Sequence, residues 1–142
     1  MIKNIRHTGI VVIDLTKSML FYTEKLGFEV SKRMNESGSF IDKILGINNL
    51  MVTTVKMELK NGQMIELLDY TTHKKKFSEM FINDIGPTHL AFTVANLDEI
   101  YTNFSNDGIE FISNPEVSPD GIVKVAFCKA PEGTYIELVE RL

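Results

Sequence analysis

The chain has 142 residues, 44% hydrophobic and 24% charged, with a net charge of −4, the balance of a globular domain long enough to bury a core without cross-links. That balance excludes global disorder, and the acidic charge excludes a broad basic surface, so nucleic acid is not an expected partner. No apolar run approaches the roughly 20 residues needed to cross a bilayer, residues 1–6 carry no apolar signal core, and the single cysteine, Cys128, has no internal partner. A soluble, reduced, cytoplasmic protein with no membrane partner is therefore expected.

In chain order, His7 opens an apolar run over 7–13 that reads as a buried strand, and Asp14 stands where a helix N-cap is wanted. A helix follows with Leu15, Met19, Tyr22 and Leu26 on one face, and Gly27 ends it. Strands are expected at about 28–34, 52–59 and 64–70, the last two joined by a turn at Asn61-Gly62. Between the first two lies a short amphipathic insertion, Phe40 to Gly46, readable as a surface helix packing its own apolar side or as a lid. A linker over about 71–86 contains His73-Lys74-Lys75-Lys76, a solvated charge cluster. His89 then opens a second apolar run, over 89–95. Asn96 is in the N-cap position, and Leu97, Ile100, Tyr101 and Phe104 form the stripe of a helix closed by Gly108. Strands are expected at about 109–113, 124–128 and 134–140, with a turn at Glu132-Gly133.

The two halves are copies. His89 lies 82 residues after His7, and the same offset carries Leu15 to Leu97 without a gap. The closing strands also match, Gly62-Gln63-Met64-Ile65-Glu66 against Gly133-Thr134-Tyr135-Ile136-Glu137, with Glu four residues after Gly in both. The expected fold is α+β: two tandem βαβββ modules, about 1–70 and 87–142 of a single domain, forming a curved eight-stranded mixed sheet with helices on its outer face.

Strand side chains alternate between faces. Ile10 and Val12, Ile65 and Leu67, Leu90 and Phe92, and Ile136 and Leu138 make an apolar face for the helices. His7, Glu66, His89 and Glu137 fall on the other face, one His and one Glu from each module. Two imidazoles and two carboxylates suit a divalent ion such as zinc, nickel or cobalt, with manganese or ferrous iron also accommodated. On a six-coordinate ion, four protein ligands leave two positions for water or substrate oxygens. A lone strand His is ordinarily a hydrogen-bonded core residue and a lone strand Glu ordinarily faces solvent. Four at repeat-equivalent positions are different, because burying them without a cation is costly. His73 sits in the linker without partners, and Cys128 alternates with Ala126 as a buried structural thiol.

At these residues the chain resembles the vicinal oxygen chelate superfamily. The resemblance rests on His7 with Gly9 and Asp14-Leu15, on Leu26-Gly27-Phe28, on Met64 to Leu68, on His89 to Val94 and on Glu132 to Val139. The His, Glu, His, Glu order is similar to that of bacterial lactoylglutathione lyase, glyoxalase I. That likeness implies a lyase or isomerase that moves a proton next to a carbonyl through a metal-stabilised enediolate. The implied substrate is a small molecule, the hemithioacetal of a 2-oxoaldehyde and a thiol. It also implies one divalent metal on His7, Glu66, His89 and Glu137, with Glu137 as the base, and a homodimer. Residues 31–50 do not reproduce the Arg and Asn pattern by which glyoxalase I grips glutathione, which leaves the thiol open. Other members of the superfamily imply other readings: an acyl-CoA epimerase of the methylmalonyl-CoA type, an extradiol dioxygenase using His7, His89 and Glu137, or a non-enzymatic binder of a small molecule such as an antibiotic.

Overall fold

The repeat in the sequence becomes a repeat of secondary structure. The computed structural model describes residues 1–142 and divides into two units, Met1–Phe77 and Ser78–Leu142. The first contains β1 (Thr8–Val11), α1 (Leu15–Leu20), β2 (Glu29–Ser37), α2 (Ser39–Leu45), β3 (Met51–Glu58) and β4 (Met64–Tyr70). Its sheet has the order β1-β4-β3-β2, with β1 and β4 parallel and the other pairs antiparallel. The second contains β5 (His89–Val94), α3 (Leu97–Asn106), β6 (Glu116–Val117), β7 (Val123–Lys129) and β8 (Tyr135–Arg141), in the order β5-β8-β7-β6 with β5 and β8 parallel. The fold is thus α+β with two βαβββ modules, and the eight strands form two mixed four-stranded sheets. No helix is long and apolar enough to cross a membrane.

Local chemistry sets the element boundaries. The Asp14 side chain accepts from Lys17 N at 3.0 Å, and that of Asn96 accepts from Glu99 N at 3.3 Å, each satisfying a free N–H of the first helical turn. After α1 the chain continues through a π-helical turn, Phe21–Lys25. Gly27 then takes φ +75°, which lets Phe28 N donate to Tyr22 O and Gly27 N to Thr23 O. That pairing closes the helix with a left-handed residue, where a side chain would be strained. The β3–β4 and β7–β8 hairpins turn identically. Leu59 N donates to Gln63 O and Gly62 N to Leu59 O; Ala130 N donates to Thr134 O and Gly133 N to Ala130 O. Identical turns impose identical register, so residues of β3 and β4 correspond to those 71 positions later in β7 and β8.

The apolar faces lie where alternation places them. Ile10, Val12, Ile65 and Leu67 are buried in the first unit, and Ile136 and Leu138 in the second. Each such side chain contributes about 1.5–3 kcal/mol by leaving water. The insertion forms α2, capped by left-handed Gly46. It is fastened to its own unit: Ile41 packs with Leu50 and Val52, and the Asp42 carboxylate accepts from Asn49 N and Leu50 N, both at 2.9 Å.

One expected strand is displaced. Residues 109–113 form no strand, only a bridge between Phe111 and Cys128, and the edge strand is β6, Glu116–Val117. Ile112 N still donates to Phe127 O and Lys129 N to Glu110 O, so the edge begins to pair with β7. It is then interrupted at Asn114-Pro115, where proline has no N–H for the ladder. The Phe111 ring turns to the helix, 4.8 Å from the Tyr101 ring, and Tyr101 Oη donates to Asn114 Oδ1 at 2.7 Å.

Candidate metal centre

Each sheet builds the same small constellation at the same place. Glu66 lies in β4 beside Gly9 of β1, and Glu137 lies in β8 beside Ala91 of β5. A small residue next to each carboxylate leaves the space above it open. The histidine two residues earlier, on the same face, reaches into that space. His7 Nε2 stands 3.9 Å from Glu66 Oε1, and His89 Nε2 stands 3.5 Å from Glu137 Oε2. Both glutamates are largely covered, with 14% and 23% of their side chains exposed.

These separations are long for a hydrogen bond, for which N···O is about 2.7–3.2 Å. They suit two ligands of one ion. Ligand atoms each about 2.0–2.2 Å from a metal lie roughly 3–4 Å from one another. The second nitrogens differ. His89 Nδ1 is 3.3 Å from Thr88 Oγ1, a contact that helps leave Nε2 facing Glu137. His7 Nδ1 is buried without a hydrogen-bond partner, an arrangement costing about 1–3 kcal/mol. By donor chemistry and spacing, each pair fits half of a divalent-ion site. No three His, Cys, Asp or Glu side chains gather closely enough to hold an ion by themselves. The four expected ligands therefore stand as two pairs, one in each unit.

The surroundings of the pairs are unlike. Opposite Glu66 in β3 is Lys56, whose Nζ lies 3.8 Å from Glu66 Oε2. Opposite Glu137 in β7 is Phe127, whose ring packs edge-on to His89 with centroids 5.6 Å apart. Tyr135, on the Glu137 face of β8, is buried because the segment before β5 covers it: its hydroxyl donates to Met80 O at 3.0 Å, and the Lys129 ammonium sits 5.1 Å from its ring centre. Residues 81–83 with Glu110, Phe111, Ile112, Lys129 and Tyr135 line a cavity of about 350 Å³ in the second unit.

Lys56 was not marked by motif or composition. The signal existed in the hairpin, because the Gly62 turn places residue 56 opposite residue 66. Cys128 is fully buried, and burial pushes its thiol up to about 12; a thiol so placed stays protonated and is not a ligand or nucleophile. His73 contacts only the neighbouring Thr72 hydroxyl, 3.0 Å from Nδ1.

Comparison with known proteins gives a consistent family. Residues 4–138 match the Glyoxalase/Bleomycin resistance protein/Dioxygenase superfamily. The protein YwkD of Bacillus subtilis is 30% identical over 112 residues, 78% of this chain and 76% of that protein. A lactoylglutathione lyase of Schizosaccharomyces pombe is 28% identical over 144 residues, and the match covers 96% of this chain but only 47% of the yeast protein. Among solved structures, a glyoxalase family protein from Bacillus cereus superimposes with a TM-score of 0.90 at 23% identity, covering 100% of this chain and 96% of the other.

Proposed function

Because the chain belongs to the Glyoxalase/Bleomycin resistance protein/Dioxygenase superfamily, we propose that it is a metal-dependent lyase or isomerase that shifts a proton between carbons next to a carbonyl. The observation that carries this reading is the duplicated His–Glu pair, His7 with Glu66 and His89 with Glu137. The relative named lactoylglutathione lyase supports it and suggests the hemithioacetal of a 2-oxoaldehyde as substrate class.

On this reading His7, Glu66, His89 and Glu137 together hold one divalent ion, nickel, zinc or cobalt before manganese or iron. Each unit supplies one pair, from one chain or from two chains of a homodimer. The bound ion supplies Lewis-acid polarisation of the substrate oxygens. The protein's own contribution is a carboxylate that takes the proton from one carbon and returns it to the next. Glu66 has His7 3.9 Å from one oxygen and Lys56 3.8 Å from the other. Glu137 has His89 3.5 Å from one oxygen and Phe127 opposite it in β7. The reading takes Glu137 as the base and Glu66 as the fixed ligand, as the resemblance to glyoxalase I implies, and the sparser polar contacts of Glu137 support it.

The test is metal analysis of untreated protein, followed by assays of methylglyoxal with several thiols. One ion per four-ligand set and thiol-dependent turnover support the reading. Protein that purifies without metal and gains no activity with any divalent ion overturns it. Oxygen-sensitive ferrous iron with no isomerase activity points instead to the dioxygenase branch.

A further inference from the structure

The two pairs match in ligands and spacing but not in charge. Lys56 and Phe127 occupy the same position, opposite the glutamate in the neighbouring strand. One is a cation with 29% of its side chain exposed; the other is an aromatic ring laid against the histidine. The Lys56 charge is compensated by Glu66, 3.8 Å away. A divalent ion on His7 and Glu66 changes that balance. The two glutamates together neutralise the ion, and the Lys56 ammonium is then left half-buried with no carboxylate of its own. The loaded centre carries a net charge of about +1, concentrated on the Lys56 side.

We propose that Lys56 is a specificity-determining residue that contacts the substrate and selects small carbonyl compounds bearing an anionic group, with the anion directed to Lys56. The proposal rests on the four-residue metal site. It adds a requirement that the ligand set alone does not impose, namely a carboxylate or equivalent anion close to the reacting carbons. A neutral substrate would leave the partly covered ammonium without a carboxylate partner, and an anion restores the pairing that the metal removes.

The test uses zinc-loaded full-length protein and oxalate, a dianion that presents two adjacent oxygens. Binding is measured by calorimetry for wild type, Lys56→Met and Lys56→Arg, and zinc content is checked after each titration. Wild type is expected to bind oxalate, Lys56→Met about tenfold more weakly or worse, and Lys56→Arg within a few-fold of wild type because its charge is kept. Zinc affinity of Lys56→Met, from chelator competition, should not be weaker than that of wild type. Equal oxalate affinity in wild type and Lys56→Met, with zinc retained, overturns the role of Lys56 while leaving the metal site standing. Failure of wild type to hold zinc overturns the metal-site reading itself. Loss of oxalate binding in Lys56→Arg as well as Lys56→Met shows that shape rather than charge matters, which also overturns the proposal.

Discussion

The two units make the same fold from sequences that agree at few positions, and the agreements and differences have separate causes. The pairs Ile65 and Ile136, Glu66 and Glu137, and Leu67 and Leu138 occupy matching places in β4 and β8. Two of the three are buried core residues and the third is the site carboxylate, so shape and chemistry both account for the matches. The positions that diverge lie where the surroundings diverge. Lys56 against Phe127 alters the charge beside the site. Met57 against Cys128 exchanges a thioether for a smaller thiol, both fully buried. Asp69 against Glu140 alters how the helix N-terminus of each unit is anchored. A duplicated scaffold thus keeps the His–Glu pair constant in both units, while the residue opposite the glutamate is charged in one and apolar in the other.

The site predictions probe this asymmetry most strongly. Glu137→Gln is expected to lower kcat by roughly 10²- to 10⁴-fold, the range of a lost general base, while the amide oxygen retains much of the metal. Glu66→Gln should cost metal affinity more than turnover per bound ion. Turnover assays normalised to metal content decide between them; equal collapse in both variants breaks the assignment of one base and one fixed ligand. Next in size is the shared core. Leu67→Ala and Leu138→Ala, at matching positions and both fully buried, should each cost about 2–5 kcal/mol in denaturant unfolding. A cost confined to one of them would show that the two cores are not built alike.

A third prediction concerns pH and falls on one unit alone. Burial raises the Cys128 thiol from the ordinary 9.0 to about 12. The folded chain therefore keeps this proton at pH values where the unfolded chain releases it. The contribution is fully present below pH 9 and is lost as pH rises from 9 toward 12. Cys128→Ala should be less stable than wild type at neutral pH because it leaves a cavity, with the difference shrinking across that window. The Met57 position has no such group, so Met57→Leu should shift stability by the same amount at pH 7 and pH 11.

Much of this was legible in the sequence because it depends on short range. Asp14 and Asn96 cap helices by reaching three residues ahead, and Gly62 and Gly133 turn hairpins within five. Alternation placed His7, Glu66, His89 and Glu137 on the face away from the helices, and the structure puts each His beside its own Glu. The run 109–113 misled because its β-rich composition was read without weighing Pro115, whose missing N–H breaks the ladder and moves the edge strand to Glu116–Val117. Lys56 and Lys74 were missed for a different reason. Their roles exist only across strands or from linker to strand, and a lysine in a charged stretch looks like any other solvated charge.

Lys74 supplies the last and smallest prediction. In the second unit, Glu140 accepts from Asn96 N at 3.1 Å and Leu97 N at 3.0 Å, so β8 itself holds the N-terminus of α3. Its carboxylate also favours the positive end of the helix. The matching residue in the first unit is Asp69, one methylene shorter. There Lys74 pairs with Asp69 at 2.8 Å and donates to Ile13 O at 2.9 Å, linking β4 to the chain just before α1 through a linker side chain. The first arrangement satisfies two backbone donors in a part-buried place; the second is an ion pair whose lysine is 42% exposed. Glu140→Ala should therefore cost about 1–2 kcal/mol, and Lys74→Ala less than about 1 kcal/mol, shrinking further in high salt. Chemical denaturation at low and high ionic strength measures both. A salt-independent loss in Lys74→Ala as large as that in Glu140→Ala would mean that the two units anchor their helices with equal strength.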